Sequence, residues 1–179
     1  MPESSGTPPT ILPFLKTNNP CFKIKFSSDG YVVGGTTGKV TEIPAVLDQK
    51  RCLYKPHVQV IMKGQEVLIK NSDATLHNIH GLPKVNPEFN FAMPKVVKEK
   101  ETSFSKTEEP FYIKCDVHPW MKSYISVFDH PYFAVTDEDG NYKINDIPPG
   151  TYEVIAWQEK FKDKKTKQWK TLSKSVTIG

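Results

Sequence analysis

The stretch Phe111-Tyr-Ile-Lys-Cys115-Asp-Val-His118-Pro-Trp-Met121-Lys-Ser-Tyr-Ile-Ser-Val127 carries most of the information in this chain. Two runs rich in aromatic and β-branched residues flank a tight polar loop, the pattern of two short strands and their connection. A strand is predicted to end at Cys115, and a second to leave after Met121. The loop between them offers a thiol, an imidazole and a thioether within seven residues. These are soft and borderline donors, suited to copper or zinc rather than to magnesium or calcium.

The same texture extends outward on both sides. Cys21–Phe26 alternates, and Asp29-Gly30 and the glycines at 34, 35 and 38 mark turns before 39–43. Residues 57–62 and 66–70 alternate around Lys63-Gly64, which predicts a hairpin. Further strands are expected over 102–106, 111–115 and 124–128, and residues 82–100, with three prolines, are expected to form a long ordered loop. Many short strands separated by turns predict an all-β sandwich or barrel.

Composition narrows the function. The chain has 179 residues, 37% of them hydrophobic and 25% charged, with a net charge of +4. Arg51 is its single arginine, which argues against nucleic acid as a partner, because phosphate and base-edge contacts favour Arg. No apolar run approaches the ~20 residues of a membrane-spanning helix. Residues 1–20 are rich in Pro, Ser, Thr and Asn and are expected to be a flexible tail or linker, with membrane attachment through a missing N-terminal segment as an option.

Two imidazoles, a thiolate and a weak axial thioether form the preferred ligand set of a mononuclear electron-transfer copper centre. The loop supplies all but one imidazole. The second comes from Asn71-Ser-Asp-Ala-Thr-Leu-His77-Asn78-Ile-His80, where His77 is favoured and His80 is the alternative. Met93 and Met62 are rivals to Met121, and His57 and His130, each beside a proline, read as turn or surface residues. Zinc on His77, Cys115 and His118 is a weaker option, since closed zinc sites do not use Met. A cysteine nucleophile would lack evident oxyanion donors, so no enzymatic activity is expected.

The Cys-x2-His-Pro-x-Met loop between two strands, with His77-Asn78 upstream, resembles the cupredoxins, the type 1 blue copper proteins. The short spacing is most similar to that of the amicyanins. The resemblance implies a Greek-key β-sandwich over 21–129 holding one copper per chain, cycling between Cu(I) and Cu(II). It assigns His77, Cys115, His118 and Met121 as metal ligands, and Asn78 as a brace of the cysteine loop. It further implies single-electron transfer between a redox donor and acceptor, which dock transiently near His118 and Trp120. A copper carrier or delivery protein is the alternative.

Once Cys115 is assigned to copper, Cys21 and Cys52 remain, and a disulfide between them is expected. With copper, this points to the periplasm or cell exterior. Residues 130–179 are predicted to form four further strands, 132–137, 141–144, 151–160 and 169–179, with the lysine-rich segment 160–170 as a solvated loop. The Asp-Gly turn and the Pro-Pro-Gly-Thr-Tyr run resemble carboxypeptidase regulatory-like (transthyretin-like) β-sandwich domains. That resemblance implies a small additional β extension, truncated or completed by strands from 21–45.

Overall fold

The computed structural model describes residues 21–26, 44–137 and 139–179. The tail expected over 1–20 and the turns and strand read over 27–43 lie outside the described residues. Among the described residues there are thirteen strands and no helix: β1 (Cys21–Phe26), β2 (Ala45–Gln49), β3 (Tyr54–Lys55), β4 (Val58–Met62), β5 (Glu66–Asn71), β6 (His77–Leu82), β7 (Phe89–Met93), β8 (Glu99–Ser103), β9 (Glu108–Lys114), β10 (Lys122–Phe128), β11 (Phe133–Val135), β12 (Gly150–Lys162) and β13 (Trp169–Ile178).

The expected all-β sandwich is what the chain adopts. A five-stranded sheet ordered β4-β10-β9-β6-β7 faces a four-stranded sheet ordered β3-β2-β5-β8. Period-two alternation puts one face of each strand inward. Leu47, Val67 and Ile69 from one sheet meet Ile61, Ile79, Ile113, Ile125 and Val127 from the other in a single core. Both sheets contain one parallel pair, β2 with β5 and β4 with β10.

Residues 57–70 do not form the expected hairpin. β4 and β5 join different sheets, because the Lys63 and Gly64 amides bond to the Phe128 and Phe104 carbonyls instead of closing a ladder. Gly64 permits this crossing with φ +80°. Alternation told that each run buries one face; it did not tell in which sheet. Segment 82–100 likewise contains more than loop: β7 pairs antiparallel with β6, and the start of β8 pairs with β5. Its prolines flank β7, an edge strand, rather than interrupt it.

The C-terminal residues form a third sheet, ordered β11-β1-β12-β13. Residues 141–144 are not a strand there; Tyr142 and Ile144 instead pack on the buried Tyr132, Tyr152, Val154 and Ala156. The fourth strand is β1, paired on one side with β11 and on the other with β12. This sheet meets the outer face of the five-stranded sheet through Val58, Tyr124 and Trp157. The contact is reinforced by Glu159, which bonds to His57 Nε2 (3.3 Å) and Lys122 Nζ (3.0 Å).

The expected Cys21–Cys52 disulfide is not formed: Cys52 is a free thiol. The topology separates the two positions. Cys21 lies in β1 between Val135 and Trp157 of the C-terminal sheet, whereas Cys52 lies in the turn between β2 and β3.

Candidate metal centre

Three elements converge at one end of the sandwich. β9 ends at Lys114 and β10 begins at Lys122, so residues 115–121 form a closed loop. Two backbone bonds tighten it, Cys115 N to Met121 O (3.3 Å) and Met121 N to His118 O (2.9 Å). β6 lies beside β9 and opens with His77, which is wholly buried.

This arrangement brings ligand atoms of His77, Cys115 and His118 within 4.8 Å of one another. His77 Nδ1 is 3.0 Å from His118 Nδ1, and Cys115 Sγ is 3.7 Å from the same His118 nitrogen. The two imidazoles therefore turn the same ring nitrogen toward each other, and that of His118 also faces the sulfur. Met121 is also fully buried and shares a core cluster with Cys115 and Met93.

The two rival methionines, Met93 and Met62, differ in their surroundings. Met93 lies opposite His77 across the β6–β7 ladder, and its sulfur accepts a hydrogen bond from Gln49 Nε2 at 2.9 Å. Met62 is a core residue of β4, as its place in an alternating strand suggests.

His80 stands apart from the cluster. It lies three residues beyond His77, and side chains of a strand alternate faces, so the two histidines project oppositely. His80 Nδ1 bonds to Asp116 (2.9 Å) and Nε2 to Glu88 (2.8 Å), which uses both ring nitrogens. The Glu88 and Asp116 carboxylates raise its pKa above the usual histidine value, against the effects of burial and Lys114. His57 faces the C-terminal sheet, and His130 stacks between Phe128 and Tyr132.

Asn78 ties the cysteine loop to β6. Its Oδ1 accepts from the Asp116 backbone N–H (2.6 Å) and from Cys115 Sγ (3.2 Å). Its Nδ2 donates to Asn90 Oδ1 and Asp116 Oδ2. Lys114, at 2.7 Å, together with these donors holds the Asp116 carboxyl far below the ordinary carboxylate range, even against desolvation. Tyr54, buried under the site, donates to the Asn78 and Lys114 carbonyls, and its burial near Cys115 raises its pKa strongly.

Asp73 is the residue that sequence reasoning missed. Its Oδ2 lies 2.8 Å from His77 Nε2, and its two oxygens accept the backbone N–H groups of Arg51 and Cys52. Burial pushes the Asp73 pKa up, but the Cys52 N–H, the His77 ring and the Arg51 N–H outweigh it and bring it down. The residues it joins are far apart in sequence, and the Arg51 and Cys52 N–H groups reach it from a turn in left-handed backbone, with φ 57° and 52°. A carboxylate on the far nitrogen of a ligating histidine fixes the ring's tautomer and orientation.

The outer edge of the site is open. Trp120 is 60% exposed, donates Nε1–H to the Cys52 carbonyl (3.0 Å) and meets the His118 ring edge-on at 5.2 Å. Val117 and Leu53, the neighbours of His118 and Cys52 in sequence, are also exposed. Trp120 is thus a surface side chain and not part of the core.

A family model described as polysaccharide lyase family 4, domain II, matches residues 115–178. No curated protein matches the chain in sequence. Among solved structures, an oxidised amicyanin variant is 21% identical with a TM-score of 0.42, covering 47% of this chain and 81% of that chain. A purple cupredoxin from Nitrosopumilus maritimus is 21% identical with a TM-score of 0.39, covering 46% of this chain and 98% of that one. The copper-containing nitrite reductase from Thermus scotoductus SA-01 is 22% identical with a TM-score of 0.41, covering 49% of this chain and 23% of that one.

Proposed function

We propose that this chain is a cupredoxin-type carrier of single electrons that would hold one copper through His77, Cys115 and His118, with Met121 as a weaker fourth ligand. The observation that carries the reading is the convergence of His77 Nδ1, His118 Nδ1 and Cys115 Sγ at the end of a β-sandwich. Two imidazoles, one thiolate and a thioether fit a mononuclear electron-transfer copper. Engagement of the Met93 sulfur by Gln49 favours Met121 over Met93.

When bound, copper supplies one-electron chemistry between Cu(I) and Cu(II). The chain's own part is to hold the donors still. His77 is buried and anchored through Asp73, and the cysteine loop is pinned by Asn78 and by the Cys115–Met121 backbone bond. A cage that does not rearrange lowers the reorganisation that accompanies each electron. The exposed edge at His118 and Trp120 is the proposed docking place for a redox donor and acceptor, in small transient contacts. No catalytic activity is proposed. The C-terminal sheet is proposed as the carboxypeptidase regulatory-like extension, and the location as periplasmic or extracellular; with Cys52 a free thiol, that location rests on copper alone.

The test is an absorption and EPR spectrum after one equivalent of Cu(II), followed by ascorbate. An intense thiolate-to-copper band near ~600 nm, or near ~450 nm in a distorted site, should bleach on reduction and vanish in Cys115→Ser. Absence of the band, or its survival in that variant, overturns the reading.

A further inference from the structure

Cys52 belongs to no disulfide, and the copper reading gives its thiol no part. It sits in the turn between β2 and β3, partly buried against the sandwich core. Arg51 and Cys52 are consecutive non-glycine residues in left-handed backbone, with φ 57° and 52°. Such conformations are costly and persist where the surroundings hold them. Here the holder is Asp73: its Oδ1 accepts the Arg51 N–H (2.8 Å) and its Oδ2 the Cys52 N–H (2.9 Å).

The turn so held brings the Cys52 sulfur to the far side of the His77 ring. Ligand atoms of Cys52, Asp73 and His77 lie within 4.8 Å of one another. The ring atom on this side is Nε2, 2.8 Å from Asp73 Oδ2, whereas Nδ1 faces His118. One imidazole thus has a donor cluster at each nitrogen. Orienting His77 calls for the carboxylate alone, and Asp73 grips Cys52 by its backbone, so neither contact needs a sulfur at position 52. A nearby cation, Lys98, directs its ammonium to the Asn71 and Asp73 carbonyls (3.4 and 3.0 Å) rather than to the carboxylate.

We propose that Cys52, Asp73 and His77 Nε2 form a second metal site, taking a divalent ion of the zinc type in the copper-free chain. Thiolate, carboxylate and imidazole are all zinc donors, and three protein ligands with a fourth position left to water is a recurrent zinc arrangement. The hard carboxylate sets this cluster apart from the softer one at Nδ1. Cys52 and Asp73 are both partly exposed, which gives the ion a way in.

Charge and protons balance. The Cys52 thiol gives its proton to solvent, and thiolate and carboxylate together match the two positive charges of the ion. A neutral imidazole has one lone pair, so the ring proton moves from Nε2 to Nδ1 and Nε2 faces the metal. Asp73 keeps acceptors to spare, since a carboxylate has about four lone pairs and the two backbone N–H groups leave the rest for the ion. The donors on the Nδ1 side take no part, and the site does not rest on the copper reading.

The experiment is alkylation of the full copper-free chain by iodoacetamide with and without Zn2+, read cysteine by cysteine by mass spectrometry. Zn2+ should slow modification of Cys52 saturably. Asp73→Asn should raise the zinc concentration needed by about 10-fold or more, because losing a ligand costs at least as much as losing an outer partner. A second readout is Co2+ added to Cys115→Ser, which has no thiol on the Nδ1 side. It should give a thiolate-to-cobalt absorption band, and Cys52→Ser on that background should remove it. No protection of Cys52, protection unchanged in Asp73→Asn, no cobalt band in folded Cys115→Ser, or a band that survives the loss of Cys52 overturns the proposal. The copper band of Cys115 is measured separately, so either reading can fail without the other.

Discussion

The Nδ1 atoms of His77 and His118 stand 3.0 Å apart, while the opposite nitrogen of His77 rests 2.8 Å from Asp73. A neutral imidazole has one donor and one acceptor nitrogen. With the Nε2–H of His77 directed at a carboxylate, its Nδ1 is the acceptor, presenting a lone pair toward His118 and Cys115. Asp73 thus prepares His77 to ligate. Asp73→Ala should weaken copper binding by about 10–100-fold, the usual effect of removing such a partner. Competition against a copper chelator measures this; unchanged affinity would show that packing alone orients the ring.

Asn78 is expected to matter even without metal. Its Oδ1 is the acceptor for the Asp116 N–H, and its Nδ2 links Asn90 and Asp116. Asn78→Ala removes all of these at a position only 8% exposed. The metal-free protein should lose about 1–3 kcal/mol, the penalty for polar groups left without partners. Urea unfolding of both proteins reads the difference, and a loss below ~0.5 kcal/mol would mean that water replaces the amide.

How much of this was legible in the sequence depends on how local each feature is. The Cys115–Met121 loop could be read because its donors lie on one short turn between two strands. The preference for His77 over His80 agrees with strand parity, which sends the two rings to opposite faces. Asp73 was not legible, because its partners Arg51 and Cys52 come from a turn 21 or 22 residues earlier. The same limit explains β4 and β5. Alternation reports one buried face, whereas the choice of sheet is made by distant carbonyls of Phe104 and Phe128. β7 was hidden by neighbouring prolines, although Phe89, Phe91 and Met93 alternate across it. The role of β1 was open because completion of the C-terminal sheet is a long-range pairing across more than 100 residues.

His80 should affect stability but not the metal centre. Its ring bridges Glu88 and Asp116, and these carboxylates raise its pKa. A raised pKa means that protonation stabilises the fold. That contribution is full below the unfolded value of 6.5 and disappears as pH climbs through the higher folded value. Relative to His80→Gln, the native chain should therefore be most favoured below pH 6.5 and lose that advantage as the solution turns alkaline. The copper spectrum of His80→Gln should match the native one. A changed spectrum would mean that the Asp116 network reaches the Cys115 sulfur.

Glu108 closes the loop between β6 and β7 by accepting three consecutive backbone N–H groups, those of Lys84, Val85 and Asn86, together with Asn86 Nδ2. Burial alone would raise its pKa, but the N–H groups of Asn86, Lys84 and Val85 outweigh that and lower it. The sign is opposite to that of His80. The stabilisation is present above the unfolded value of 4.5 and disappears as pH falls through the lower folded value. Glu108→Gln keeps the shape but leaves one oxygen where two had accepted. It should cost about 1.5–3 kcal/mol at neutral pH, the range for hydrogen bonds to a charged group. The deficit should narrow steadily as acid protonates the native carboxylate. Urea unfolding at pH 7 and in the acid range measures both quantities. A deficit of the same size at every pH would show that geometry, and not the negative charge, is what Glu108 contributes to this loop.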